Sequence, residues 1–116
     1  TPRMVFNNAD FNVGNNYDTS TGIFTAPIAG KYQFSFCGMA AGGPGDFQVR
    51  IEKNGGSYFN NNGSGRGYGT FEPYGFTVLM DLAINDEVDI RIYSSNTNAY
   101  IYAGQSWNRF SGYLIG

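Results

Sequence analysis

The sequence predicts an all-β chain folded as a two-sheet jelly-roll sandwich, and three observations predict it. Aromatic residues make up 17% of the chain and glycine 17 of its 116 positions, against only 14% charged residues. Rings pack on pleated surfaces and glycine supplies turn dihedrals, so this balance describes short strands joined by tight turns. Apolar and polar residues alternate through most of the chain, with no helical period of useful length. Clusters of turn-forming residues separate the alternating runs. At this length the chain buries one core and not two, so residues 1–116 are read as one domain.

In chain order, Met4 to Asn12 and Gly22 to Thr25 read as weak strands, with Ser20-Thr21-Gly22 and Pro27 to Gly30 as the turns around the second. The run Lys31 to Met39 is the clearest strand, because Tyr32, Phe34 and Phe36 make one bulky face against Gln33, Ser35 and Cys37. Gly42-Gly43-Pro44-Gly45 turns the chain into Phe47, Val49 and Ile51, alternating with Gln48, Arg50 and Glu52. Asn54-Gly55-Gly56 is turn chemistry, followed by a short strand, Ser57 to Asn60, within a surface loop running from Gly55 to Gly69. Phe76, Val78, Met80 and Leu82 then face inward, and after Asn85-Asp86 so do Val88, Ile90 and Ile92. Tyr100 to Ala103 is a weak strand after the Asn96-Thr97-Asn98 turn, and Phe110, Gly112 and Leu114 give the last strand its inner face. Tyr32, Phe34, Phe36, Phe76 and Phe110 are therefore the expected core between the sheets.

Two strands break the rule that the outer face is polar. Leu79 on one, and Cys37 with Met39 on another, join Tyr113 and Ile115 of the last strand. Contiguous exposed apolar surface marks a partner site, whereas scattered surface hydrophobes are ordinary, and the pattern alone leaves both readings open. Cys37, the single cysteine, reads first as a small buried hydrophobe, with a bond to another chain or a reactive thiol as the alternatives.

The net charge of −2 and pI near 4.8 leave no basic footprint for a nucleic acid partner. No apolar run reaches the roughly 20 residues of a membrane-spanning helix. The amino terminus has no signal-peptide pattern, so a secreted form of this chain is read as already processed. Asn62-Gly63-Ser64 is an N-glycosylation acceptor sequence, modified only in a eukaryotic secretory route. The absence of histidine removes histidine triads and imidazole metal sites; Asp86, Glu87 and Asp89 cluster with Asp81 on the preceding strand, but Asp86 and Glu87 read as solvated residues of a hairpin turn, not an acid-base pair. No catalytic residue, metal ligand set or cofactor motif is assigned, and the chain is read as no enzyme. For binding, the loops offer Tyr58, Tyr68, Tyr74, Tyr100 and Trp107 with Arg66 and Arg109, large rigid rings beside cations. Several of these rings equally suit the closing of the sandwich ends. Arg66 and Tyr68 are the preferred contact pair for an acidic or carbohydrate ligand, with Tyr100, Trp107 and Arg109 next.

The order and intervals of Phe6, Asn12, Tyr17, Phe24, Gly30, Tyr32, Phe34 and Phe36 resemble the globular head domain of complement C1q, in the C1q/tumour-necrosis-factor group. Ile101-Tyr102 and Phe110-Ser111-Gly112-Tyr113-Leu114-Ile115 are similar to that domain's last strands, and Val78, Leu82, Asp86 and Val88 fit its middle. The resemblance implies a jelly-roll head that forms a homotrimer through the sheet carrying Gln33, Ser35, Cys37, Leu79, Tyr113 and Ile115. It implies a secreted, non-catalytic recognition module that binds microbial glycans, acidic surface molecules or a protein receptor, as in innate immune recognition. The alternative is a structural or adhesive surface protein whose trimer is itself the function. Some heads of this kind hold calcium with an aspartate and a glutamine, but the matching positions are Ser95 and Ala103, and Asn96 and Asn98 bring too little charge, so calcium is disfavoured. Only five residues precede Phe6, so the head either begins late or lacks the family's first strand, leaving the last strand with less cover. No collagen-like Gly-X-Y stalk is present to tether heads together.

Overall fold

The computed structural model describes residues 3–6, 13–41, 47–63, 72–94, 100–101 and 108–116. Among these run nine strands and one short 3-10 turn, Val13–Asn15. The strands are β1 (Tyr17–Asp18), β2 (Ile23–Thr25), β3 (Gly30–Ala41), β4 (Phe47–Lys53), β5 (Gly56–Gly63), β6 (Glu72–Leu82), β7 (Glu87–Ser94), β8 (Tyr100–Ile101) and β9 (Arg109–Leu114). Every pairing is antiparallel. One sheet has the order β1-β2-β7-β4-β5, and the other centres on β3, with β6 on one side and β9 and β8 on the other. The two sheets form the sandwich that alternation predicts.

Alternation sets which side chains meet between the sheets. Successive side chains on a strand point to opposite faces, so Tyr32, Phe34, Phe36 and Ala40 of β3 all turn inward and are buried. Val49 and Ile51 of β4, Val88 and Ile90 of β7, and Met80 and Leu82 of β6 close on them from the other strands. The rings form one connected set: Phe34 lies 5.3 Å from Phe24 and 5.8 Å from Phe110, and Phe36 lies 5.7 Å from Phe76. Edge-to-face and offset pairs of this kind add about 0.5–1.5 kcal/mol each beyond their area burial. Phe76 and Phe110 pack against this core half-buried instead of lying wholly inside it.

The turns follow their residues. Lys53 pairs with Gly56 across a two-residue loop in which Asn54 (φ 51°) and Gly55 (φ 82°) both take left-handed backbone, the pattern of a type I′ hairpin. Asp18 closes the β1–β2 turn by accepting from the Ser20 amide and hydroxyl, at 2.8 and 2.6 Å. These bonds, the hydroxyl's first, hold the Asp18 carboxyl below its ordinary value. Gly22 ends that turn at φ 82°, and a Cβ there would stand 2.5 Å from the Met4 carbonyl oxygen, so the amino-terminal segment passes over a position only glycine fills. That segment runs beside β7, with Arg3 bridged to Arg91 and the Met4 amide donating to Ile90 O at 2.8 Å. Of the predicted strand Met4 to Asn12, residues 7–12 lie outside the described residues.

Three readings need correction. Cys37 is exposed, not buried, because it occupies an outward position of β3. Tyr74 is no loop residue: it sits in β6 with 6% of its surface exposed, inside the core. The short strand Ser57 to Asn60 is the middle of an eight-residue strand, since Asn60, Asn61 and Asn62 pair with Arg50, Val49 and Gln48 despite their low β-propensity.

Candidate functional site

The outer face of the β3 sheet is built in rows. Register places Leu79 of β6 and Tyr113 of β9 on either side of Gln33, with Thr77 and Ser111 flanking Ser35, and Gly75 and Arg109 flanking Cys37. Residues directly opposite on one face approach to about 4.5–5.5 Å between Cβ atoms, so each row is a contiguous strip of surface. Leu79 is 58% exposed, Tyr113 57% and Ile115 45%. Three large apolar groups therefore stand in water around the edge of one sheet face. Between them the surface is polar but internally bonded, Ser35 Oγ lying 3.0 Å from Thr77 Oγ1. Lys31 and Asp81 close one end with a 2.8 Å exposed ion pair.

The open edge of β6 is covered by side chains from the other sheet. Between Ile51 and Glu52 the β4–β5 register slips, leaving Tyr58 as an extra residue. A bulge re-aims side chains. The Tyr58 hydroxyl reaches across to donate to the Leu79 carbonyl oxygen at 2.8 Å, and the Phe59 ring lies 5.5 Å from Phe76. The Lys53 ammonium donates to Asp81 O at 3.0 Å on the same edge. Tyr58 thus joins the rim of the apolar face beside Leu79, a role its sequence neighbourhood does not reveal because no local pattern encodes the bulge.

The outer face of the five-stranded sheet has a different chemistry. Asp89, expected in solvent, is only 5% exposed. Its Oδ2 accepts from Arg3 Nε at 2.5 Å and Arg91 Nε at 2.9 Å, while Glu52 Oε1 lies 3.6 Å from Arg91 Nε. The carboxylates are covered because Arg91 from the same strand as Asp89 and Arg3 from the amino-terminal segment lie over them. A shallow groove runs from this cluster past Ile23 and Glu87 to Asn54 and Gly55. At its end the Asp86 carboxyl is held below its ordinary value, first by the Asn54 amide, then by the Ala83 backbone amide and Lys53. On β1 of the same sheet, burial raises the Tyr17 phenol, whose oxygen accepts from the Phe6 amide at 3.1 Å, and the nearby Asp89 charge adds to the rise.

Of the residues proposed for ligand contact, Arg66, Tyr68 and Trp107 lie outside the described residues, as do the calcium positions Ser95, Asn96, Asn98 and Ala103. Tyr100 belongs to β8, paired with Ala41. Arg109 is exposed on β9 opposite Cys37, in the strip two residues along the same face from Ser35 and its neighbours. The structure therefore brings Gln33, Ser35, Cys37, Leu79 and Tyr113 onto one face, with Ile115 at its end.

No helix among the described residues is long and apolar enough to cross a membrane. The family model of the C1q domain matches residues 1–115. The chain is similar to complement C1q tumor necrosis factor-related protein 3 of Mus musculus and of Homo sapiens, 29% identical to each over 112 residues that cover 97% of this chain. It spans 44% of the length of those relatives. Among solved structures, the globular domain of zebrafish complement 1qA superposes with a TM-score of 0.78 at 18% identity, covering 98% of this chain and 84% of that one.

Proposed function

Because the chain belongs to the C1q domain family, we propose that it is a non-catalytic recognition module that assembles as a homotrimer through the outer face of the β3 sheet. One observation carries the reading: Leu79, Tyr113 and Ile115 stand exposed on one sheet face, beside a Ser35–Thr77 hydrogen bond between β3 and β6. A second and third copy would cover them. Trimerisation sets three copies of the outer loops side by side, and avidity then turns a weak loop site into useful binding. The ligand class is a microbial glycan, an acidic surface molecule or a protein receptor, met by Arg66 and Tyr68, and the module works outside the cell.

Molar mass in solution tests the assembly. The chain should run as a trimer, and Leu79→Lys should run as monomer or aggregate, since a buried unpaired charge costs several kcal/mol. A trimeric Leu79→Lys protein would remove this face from the interface. Arg66→Ala and Tyr68→Ala should leave the trimer mass unchanged while weakening capture on a multivalent glycan or anionic surface, the Arg66 share falling most with salt. A trimer that captures nothing on such surfaces would leave assembly itself as the role.

A further inference from the structure

The β4–β5 hairpin places an Asn-Gly pair at its tip. Asparagine followed by glycine is the sequence in which the next backbone nitrogen reaches the side-chain carboxamide with least hindrance, and asparagine is counted among the thermolabile residues for this chemistry. Here Asn54 is exposed, and beyond its chain neighbours nothing stands within 4 Å of where a Gly55 Cβ would be, so no other residue crowds the pair.

The carboxamide is nevertheless held. Asn54 Nδ2 donates to Asp86 Oδ1 at 3.0 Å, and Asn54 Oδ1 accepts from the Glu87 amide at 2.8 Å. The Asn54 amide donates to Glu87 O at 2.8 Å. Asp86 is itself fixed by the Ala83 amide at 2.8 Å and by Lys53 Nζ at 3.8 Å. One side chain thus latches the β4–β5 turn to the β6–β7 turn, using both ends of its amide.

We propose that Asn54 is a site of self-modification whose rate is set by this latch, and that the modified residue cannot close the latch again. When the latch opens, the Gly55 backbone nitrogen bonds to Asn54 Cγ and gives up its proton, the Cγ–Nδ2 bond breaks, and ammonia leaves. Water then opens the cyclic imide at one of its two carbonyls, giving aspartate or isoaspartate; water is the sole co-reactant. The donor to Asp86 is gone in both products. In its place stands a carboxylate facing another carboxylate, a like-charge contact that holds the two turns apart. Isoaspartate also lengthens the main chain by one carbon and cannot keep the two-residue hairpin geometry.

Peptide mapping by mass spectrometry during incubation at neutral pH tests this, following the replacement of amide by acid at Asn54 in the intact folded protein. Wild type should convert slowly. Asp86→Ala should convert several-fold faster, and Asp86→Asn, which keeps a side-chain oxygen to accept the bond, should stay near wild type. Phe36→Leu, a core change that makes none of the latch contacts, destabilises the fold without touching the latch and should remain slow. Conversion in Phe36→Leu as fast as in Asp86→Ala would mean that global opening sets the rate and would overturn the latch. Equal rates in wild type and Asp86→Ala, or no conversion at Asn54 in either, would overturn it as well. Asn54→Asp should melt below wild type, and an unchanged melting temperature would overturn the consequence drawn for the two turns.

Discussion

At the scale of single residues, Phe34 and Gly112 are one packing unit. Phe34 is 1% exposed, and a Cβ on Gly112 would stand 2.6 Å from its Cε1, so the ring lies flat against a backbone with no side chain. Truncating Phe34 to alanine should cost about 3–5 kcal/mol in denaturant unfolding, the range for a buried phenylalanine. Gly112→Ala should cost about 1–3 kcal/mol by overpacking, and the pair Phe34→Leu with Gly112→Ala should cost less than the sum of its parts. Strict additivity would show that the two positions do not touch. Phe34 was legible because it sits in a strict alternation, whereas Cys37 and Asp89 were not. Cys37 alternates correctly, but the hydrophobicity of sulfur argued for burial over position. Asp89 reads as an outward, solvated position of its strand until Arg3, eighty-six positions away, is seen lying over it.

At the scale of elements, β3 organises its sheet and β6 carries the managed edge. The Tyr58 hydroxyl and the Lys53 ammonium take up the Leu79 and Asp81 carbonyls, which would otherwise be free to accept a foreign strand. Tyr58→Phe should lower stability by about 0.5–1.5 kcal/mol, the net value of one hydrogen bond, and Tyr58→Phe with Lys53→Ala should raise concentration-dependent aggregation. A double variant that stays soluble at every concentration would show that the edge needs no cover. The strands with large inward residues were legible, β3, β4, β6 and β7 above all. The length of β5 was not, because Asn60-Asn61-Asn62 reads as loop by propensity and is held as strand by β4. The outward face of β3, β6 and β9 was legible as a set, since its apolar members break alternation, but the order in which Leu79, Gln33 and Tyr113 stand side by side needed the register.

At the scale of the whole molecule, the chain has no histidine, so no side chain of ordinary pKa titrates between about pH 5 and 8 and stability should be flat there. The acid limb is set by carboxyls such as Asp18 and Asp86, both held below their ordinary value in the fold. A depressed carboxyl contributes stability that is fully present above the unfolded pKa, about 3.9, and is lost as pH falls through the lower folded value. Denaturant midpoints should therefore hold from pH 7 to about 5 and fall below about pH 4. Asn54→Ala removes the largest cause of the Asp86 shift and should make that fall shallower; an equally steep fall would assign it to other carboxyls. The pairing of β3 has a further consequence in time. Its two long neighbours are β6, roughly 40 positions later, and β9, roughly 75 positions later, and contacts so distant in sequence are slow to form. During synthesis, residues 32–37 have no β9 strand beside them until Arg109–Leu114 has emerged, so that side of the sheet can be completed only after these residues are made. The face proposed to join subunits is thus incomplete until β9 is made, and no copy can dock through it before Arg109–Leu114 has been added.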